Sequence, residues 1–170
     1  AKATTDDGVW KFKDGGAFYD EALRLTTTTK LSSDEIHKIG LSEVSRIHDE
    51  MREIMKTVGF DGDLQAFFEF MRTDPQFYYP NDDEGKQAYL DRAVAVIDDM
   101  EGRLDELFLT KPKAELIVKR VESFREESAG TAFYQRPAPD GSRPGTYYAN
   151  LFNTANMPKY KLEALAYHEG

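Results

Sequence analysis

Apolar residues recur at helical spacing most clearly between Ser32 and Val58, where Ile36, Ile39, Val44, Ile47, Met51, Ile54, Met55 and Val58 fall on one stripe. Ser32, with Glu35 three residues on, makes a capping box at the start of that stretch. Gly59 is placed to end it, since glycine takes the left-handed conformation of a C-terminal cap without strain. The pattern predicts a long amphipathic helix. A shorter one precedes it, carrying Phe18, Tyr19, Ala22, Leu23 and Leu25 after the Asp14-Gly15-Gly16 break. The β-branched, hydroxyl-rich run Thr26-Thr27-Thr28-Thr29 should stop it. Residues 1–8 are small and polar and read as a loose end.

Asp63 can cap a further helix bearing Leu64, Phe67, Phe68 and Met71. It should stop at Asp74, because the residue before a proline disfavours helix. Pro75 to Pro80 reads as an aromatic loop. The next stripe runs through Tyr89, Leu90, Ala93, Val94, Ile97, Met100, Leu104, Leu107 and Phe108. It predicts a helix from Asp82-Asp83 to Phe108, weakened but not broken at Gly102. After Lys111-Pro112 the pattern changes. Leu116, Ile117, Val118 and Val121 favour a strand, Thr131 to Gln135 a second, and Thr146 to Leu151 a third. A turn-rich stretch from Pro137 to Gly145 separates the last two. Pro158 can start a final helix with Tyr160, Leu162, Leu165 and Ala166. The fold class is α+β and mostly α: long amphipathic helices, then a small antiparallel or mixed sheet, then a last helix.

Composition narrows the classes. The 170 residues include 11 Phe, 9 Tyr and 1 Trp, too many aromatics for a disordered chain. A net charge of −9 without a basic stripe argues against nucleic acid as a partner. With no cysteine, thiolate metal sites, disulfides and cysteine nucleophiles are excluded. No apolar run approaches the roughly 20 residues that span a bilayer, and no signal segment is visible, as would also hold after a leader was removed.

The candidate chemistry is at His168-Glu169, on the final helix. In zinc peptidases an H-E-x-x-H helix sets two imidazoles one turn apart on a metal, and the intervening glutamate activates water. His168 and Glu169 are half of such a motif; a fraying helix end would look the same. His37 and His48 lie eleven residues apart, a rise of about 16 Å on a helix, too far to share a metal. Acidic runs such as Asp82-Asp83-Glu84 read as caps and solvated faces, without the alternating spacing of a calcium loop.

Several segments, in order, carry a resemblance. They are Thr27-Thr28-Thr29 with Leu31-Ser32-Ser33-Asp34-Glu35-Ile36-His37, then Gly40-Leu41-Ser42-Glu43-Val44-Ser45-Arg46-Ile47, then Asp140-Gly141-Ser142-Arg143-Pro144-Gly145-Thr146-Tyr147-Tyr148 with Asn150-Leu151, and finally Leu162-Glu163-Ala164-Leu165-Ala166-Tyr167-His168-Glu169. The set resembles a large bacterial family of unassigned function, whose members are often given provisional names as lipoproteins or zinc metallopeptidases. There the last segment continues as H-E-x-x-P-G-H-H, similar to a gluzincin-type helix expanded by Pro-Gly.

The resemblance implies a zinc-dependent peptidase of the bacterial periplasm or cell envelope, with peripheral membrane attachment through a removed lipoprotein leader. It implies His168 as the first zinc ligand and Glu169 as the general base. The remaining ligands have no counterpart here. The chain is therefore expected to be the N-terminal part of a longer zincin-like domain: helical over 16–110, a small sheet over 114–152, and the start of the metal-site helix over 158–170. Alone it should bind zinc weakly and cleave nothing. The strand at Thr146 to Leu151 is the candidate edge strand for pairing with a peptide substrate. Alternation puts Tyr147 and Ala149 on one face, Tyr148 and Asn150 on the other. Tyr148 and Asn150 are the candidate substrate-binding residues; a structural strand with a satisfied Asn150 is the alternative. The rival function is a non-catalytic helical binding or scaffold module of the envelope. A homodimer through exposed apolar surface is a further expectation.

Overall fold

Ser32 opens the longest helix. In the computed structural model, which describes residues 5–170, the Ser32 hydroxyl accepts from the Glu35 amide at 3.3 Å, and the Glu35 carboxylate accepts from the Ser32 amide at 2.8 Å. Both halves of the capping box are formed; the Ser32 hydroxyl, which also donates to the Glu35 carboxylate at 2.7 Å, and then the Ser32 amide hold that carboxyl below its ordinary range. The described residues form α1 (Gly15–Thr27), α2 (Ser33–Thr57), α3 (Leu64–Thr73), α4 (Asp83–Glu101), α5 (Leu104–Leu107) and α6 (Lys159–Glu169), with strands β1 (Leu116–Arg120), β2 (Ala132–Gln135) and β3 (Gly145–Ala149). This is the α+β, mostly helical class that the pattern predicts. Of the loose end expected over residues 1–8, residues 1–4 lie outside the described residues.

The chain divides into two units, Ala1–Phe68 and Glu69–Gly170. In the first, the threonine run ends α1 as expected. Thr27 donates its hydroxyl to the Leu23 carbonyl at 2.8 Å, and Thr28 turns into the left-handed region at φ 56°. Gly59, at φ 68°, closes α2. The apolar stripe of α2 exists but is largely uncovered: only Met55 is buried, while Val44, Ile54 and Val58 are more than half exposed.

In the second unit, Asp74 caps a 3₁₀ turn over Pro75–Phe77, where the sequence suggested an open loop. Asp82 accepts from the Gly85 amide at 2.8 Å and starts α4. Gly85 must be glycine, since a Cβ there would lie 2.1 Å from the Pro80 carbonyl oxygen. The helix expected to reach Phe108 stops at Gly102, and α5 is a separate turn. The reason is energetic. A helical glycine costs about 1 kcal/mol, and Leu107 and Phe108 beyond it stay exposed, so no burial offsets that cost. No helix among the described residues is long and apolar enough to cross a membrane.

The sheet is mixed, in the order β1-β3-β2, with β1 parallel and β2 antiparallel to β3. On one flank the Gly145 amide donates to Glu115 and the Val121 amide to Ala149, each at 2.9 Å. On the other, the Asn150 amide donates to Thr131 at 3.0 Å. The strand is therefore central and paired on both sides, which corrects the expectation that 146–151 is an edge. All five of its residues are buried, as in a strand covered on both faces. The core joins Tyr89, Ala93, Val96 and Ile97 of α4, Tyr147 and Ala149 of β3, and Leu162 and Ala166 of α6.

Three substitutions test these assignments by denaturant or thermal unfolding. Ser32→Ala should cost about 1 kcal/mol through the lost cap. Gly85→Ala should cost about 1–3 kcal/mol through overpacking against backbone. Gly40→Ala, in mid-α2 with nothing within 4 Å of its added Cβ, should stabilise by up to about 1 kcal/mol.

Candidate functional site

α6 forms because Pro158 presets the extended entry and the run Leu162 to Ala166 is rich in helix formers. Its buried face is Leu162 and Ala166, with Leu165 half-buried beside them. Glu169 is the next position on that stripe, seven residues past Leu162, and is half-buried. His168 lies about 100° round the helix and is exposed. The Gly170 amide donates to the Ala166 carbonyl at 2.8 Å and closes the last turn. A Cβ on residue 170 would lie 2.2 Å from the Ile97 Cδ1 and 3.1 Å from the Leu116 Cδ2, so the His168-Glu169 end of α6 sits close against α4 and β1.

Tyr147 approaches that end from the sheet. It is fully buried, and its hydroxyl has no hydrogen-bond partner among the described residues. Tyr89, in the same core, has the hydroxyl that acts on it most strongly. Burial first, then the Tyr89 hydroxyl and the Glu169 carboxylate, hold the Tyr147 proton on far above the ordinary phenol range. Leaving a buried hydroxyl unpaired costs about 1–3 kcal/mol.

The other face of β3 has different partners. Tyr148 is buried, its ring stacked on Phe133 at 4.9 Å between centroids. The Arg125 guanidinium lies over both rings, 5.1 Å from Tyr148 and 5.3 Å from Phe133. The Asn150 amide donates to the carbonyls of Glu126 at 2.7 Å, Ala129 at 3.0 Å and Gly130 at 3.2 Å, and its oxygen accepts from the Phe152 amide at 3.0 Å. Arg120, at the end of β1, pairs with Glu126 through two bonds of 3.0 Å. Tyr148 and Asn150 thus tie residues 122–131 to β3. Asn150 also lines a polar pocket of about 170 Å³ with Glu126, Glu127, Thr131, Asn153 and Asn156.

The structure therefore places Tyr147 and Tyr89 in the core with the α6 stripe that leads to Glu169, and leaves Tyr148 and Asn150 on the opposite face of the sheet. The alternation groups Tyr147 with Ala149 on one face, as the structure does, without saying which face packs, and it gives Tyr147 no place among the candidate site residues. The available signal was a tyrosine where a phenylalanine would pack as well. Among the described residues no group of three or more His, Asp, Glu or Cys could hold a metal ion. His168 and Glu169 have the chemistry of one zinc ligand and one base, but a catalytic zinc takes three protein ligands. The pair fits part of such a site and does not complete it.

The comparisons with known proteins agree with the fold. The family described as "Bacterial protein of unknown function (DUF885)" matches residues 1–170. No curated protein matches the chain. Among solved structures, the chain is similar to one described as "The crystal structure of the putative lipoprotein from Colwellia psychrerythraea". The two are 31% identical with a TM-score of 0.83, over 99% of this chain and 29% of that one. This chain spans less than a third of that relative's length. The protein belongs to the bacterial DUF885 family of unknown function.

Proposed function

We propose that this chain is the N-terminal part of a zinc-dependent peptidase of the bacterial cell envelope, with His168 as a zinc ligand and Glu169 as the general base. The observation that carries the reading is the end of α6. A helix braced by the sheet and α4 presents an exposed imidazole and, on its next residue, a half-buried carboxylate. Two further observations support it. The similar solved chain is more than three times as long, which leaves ample sequence to supply the other ligands. The uncovered stripe of α2, with Val44, Ile54 and Val58 exposed, calls for a cover that further chain, or a second copy, would provide. The lipoprotein name of that relative supports attachment at the membrane surface through a lipid-modified leader.

Zinc, when bound, would supply Lewis acidity to water and to a scissile carbonyl. The chain's own residues do the rest. His168 offers one nitrogen. Glu169 takes a proton from the attacking water and delivers it to the leaving amine. A peptide substrate would pair with the sheet at β2, the one of its two outer strands that runs beside α6, because β3 has no open flank. The Asn150–Thr131 bond sets the alternation, so Ala132 and Tyr134 turn their backbone groups outward. Tyr148 and Asn150 would then serve binding indirectly, by holding the strand beside β2.

Two outcomes test this. In protein extended past Gly170, Glu169→Gln should cut peptide hydrolysis by about 10²-fold or more while zinc is retained, and a chelator should abolish it. Full activity in that variant would refute the base; absence of both zinc and hydrolysis would leave the binding-module reading. Ala132→Pro, which removes an outward N–H that an edge strand does not need, should raise KM for peptides with kcat and stability nearly unchanged. An unchanged KM would place the substrate elsewhere.

A further inference from the structure

The Tyr147 hydroxyl is the one buried side-chain polar atom without a partner among the described residues. Buried polar groups in native structures are nearly always paired, so an exception needs an account. Phenylalanine would fill the same space without stranding an oxygen. The hydroxyl is therefore not explained by packing, although the ring is: it sits in the core with Tyr89, Ile97, Leu162 and Ala166.

Its position on the strand gives the direction. Tyr147 and Ala149 share the face of β3 that packs on α4 and α6. On α6 the stripe facing them is Leu162 and Ala166, and three residues past Ala166 the same stripe reaches Glu169. Glu169 is half-buried, while its neighbour His168 is exposed. The next residue, Gly170, packs against Ile97, which shares the core with Tyr147, so the end of α6 that carries Glu169 borders that core. A carboxylate at the edge of an apolar core has many rotamers and one useful one. A donor fixed by the sheet is a means of selecting it.

We propose that Tyr147 is a positioning residue for Glu169: its unpaired hydroxyl donates to the Glu169 carboxylate in the working site and holds it in one orientation. This rests on the reading of Glu169 as the general base. Tyr147 does not itself touch the substrate. The phenol keeps its proton throughout and serves only as a donor.

The test is Tyr147→Phe in protein extended past Gly170, beside Glu169→Gln, with the thermal midpoint of each variant's metal-free form. The account expects kcat to fall about tenfold to a hundredfold, as for loss of one charge-assisted hydrogen bond, with KM and zinc content unchanged. It expects the Phe variant's thermal midpoint to be equal or higher, because a stranded hydroxyl has been removed. A structural hydroxyl would instead lower the midpoint along with activity, and that result overturns the proposal. If Glu169→Gln abolishes hydrolysis but Tyr147→Phe leaves kcat unchanged, the positioning role fails alone. If Glu169→Gln is fully active, the base assignment fails and the positioning role with it.

Discussion

The seating of α6 on β3 and α4 is the contact on which the rest of the second unit depends. Leu162 and Ala166 are buried against Tyr147, Ala149, Tyr89 and Ile97, with no room to spare around the end of the helix. Burying a side chain the size of Leu162 or Ile97 contributes roughly 1.5–3 kcal/mol, and its removal leaves a cavity that costs more. The helix is held by packing rather than by its ends, since Pro158 makes no side-chain cap. That is why the two residues at its C-terminal end have fixed surroundings. One points into solvent and one continues the buried stripe.

The sheet has a matching division of labour. Its helix-facing side is mostly apolar, with Tyr147 buried in it and with Tyr134 and Arg120 on the flanking strands. Its other side is a polar and aromatic lattice in which Arg125 covers two stacked rings and Asn150 gathers three carbonyls. The second face fixes the loop that carries residues 122–131, and so fixes β2 at the sheet's edge. A frame of this kind lets a short, three-stranded sheet stay in register, where an isolated hairpin would be marginal.

Much of this was legible in the sequence, for local reasons. The capping box at Ser32-Glu35, the cap at Asp63 and the stop before Pro75 are chemistry within a few residues, and the structure has each of them. The alternation of Tyr147 and Ala149 against Tyr148 and Asn150 was equally local. What could not be read was long-range. Nothing in Thr146 to Leu151 says which strands flank it, so a central strand was mistaken for an edge. The continuous helix across Gly102 failed for the same reason: its continuation needed burial that Leu107 and Phe108 do not have. The stranded hydroxyl of Tyr147 depends on where α4 and α6 come to rest, which no spacing encodes. The surroundings of His168 and Glu169, likewise, come only with the fold.

The central claim is that His168 binds zinc in the whole protein. X-ray absorption at the zinc edge, on protein extended past Gly170, addresses it directly. The account predicts stoichiometric zinc in a shell of nitrogen and oxygen ligands at about 2.0–2.2 Å, with a nitrogen contribution lost in His168→Ala. A zinc-free protein, or a shell unchanged by that substitution, would contradict it.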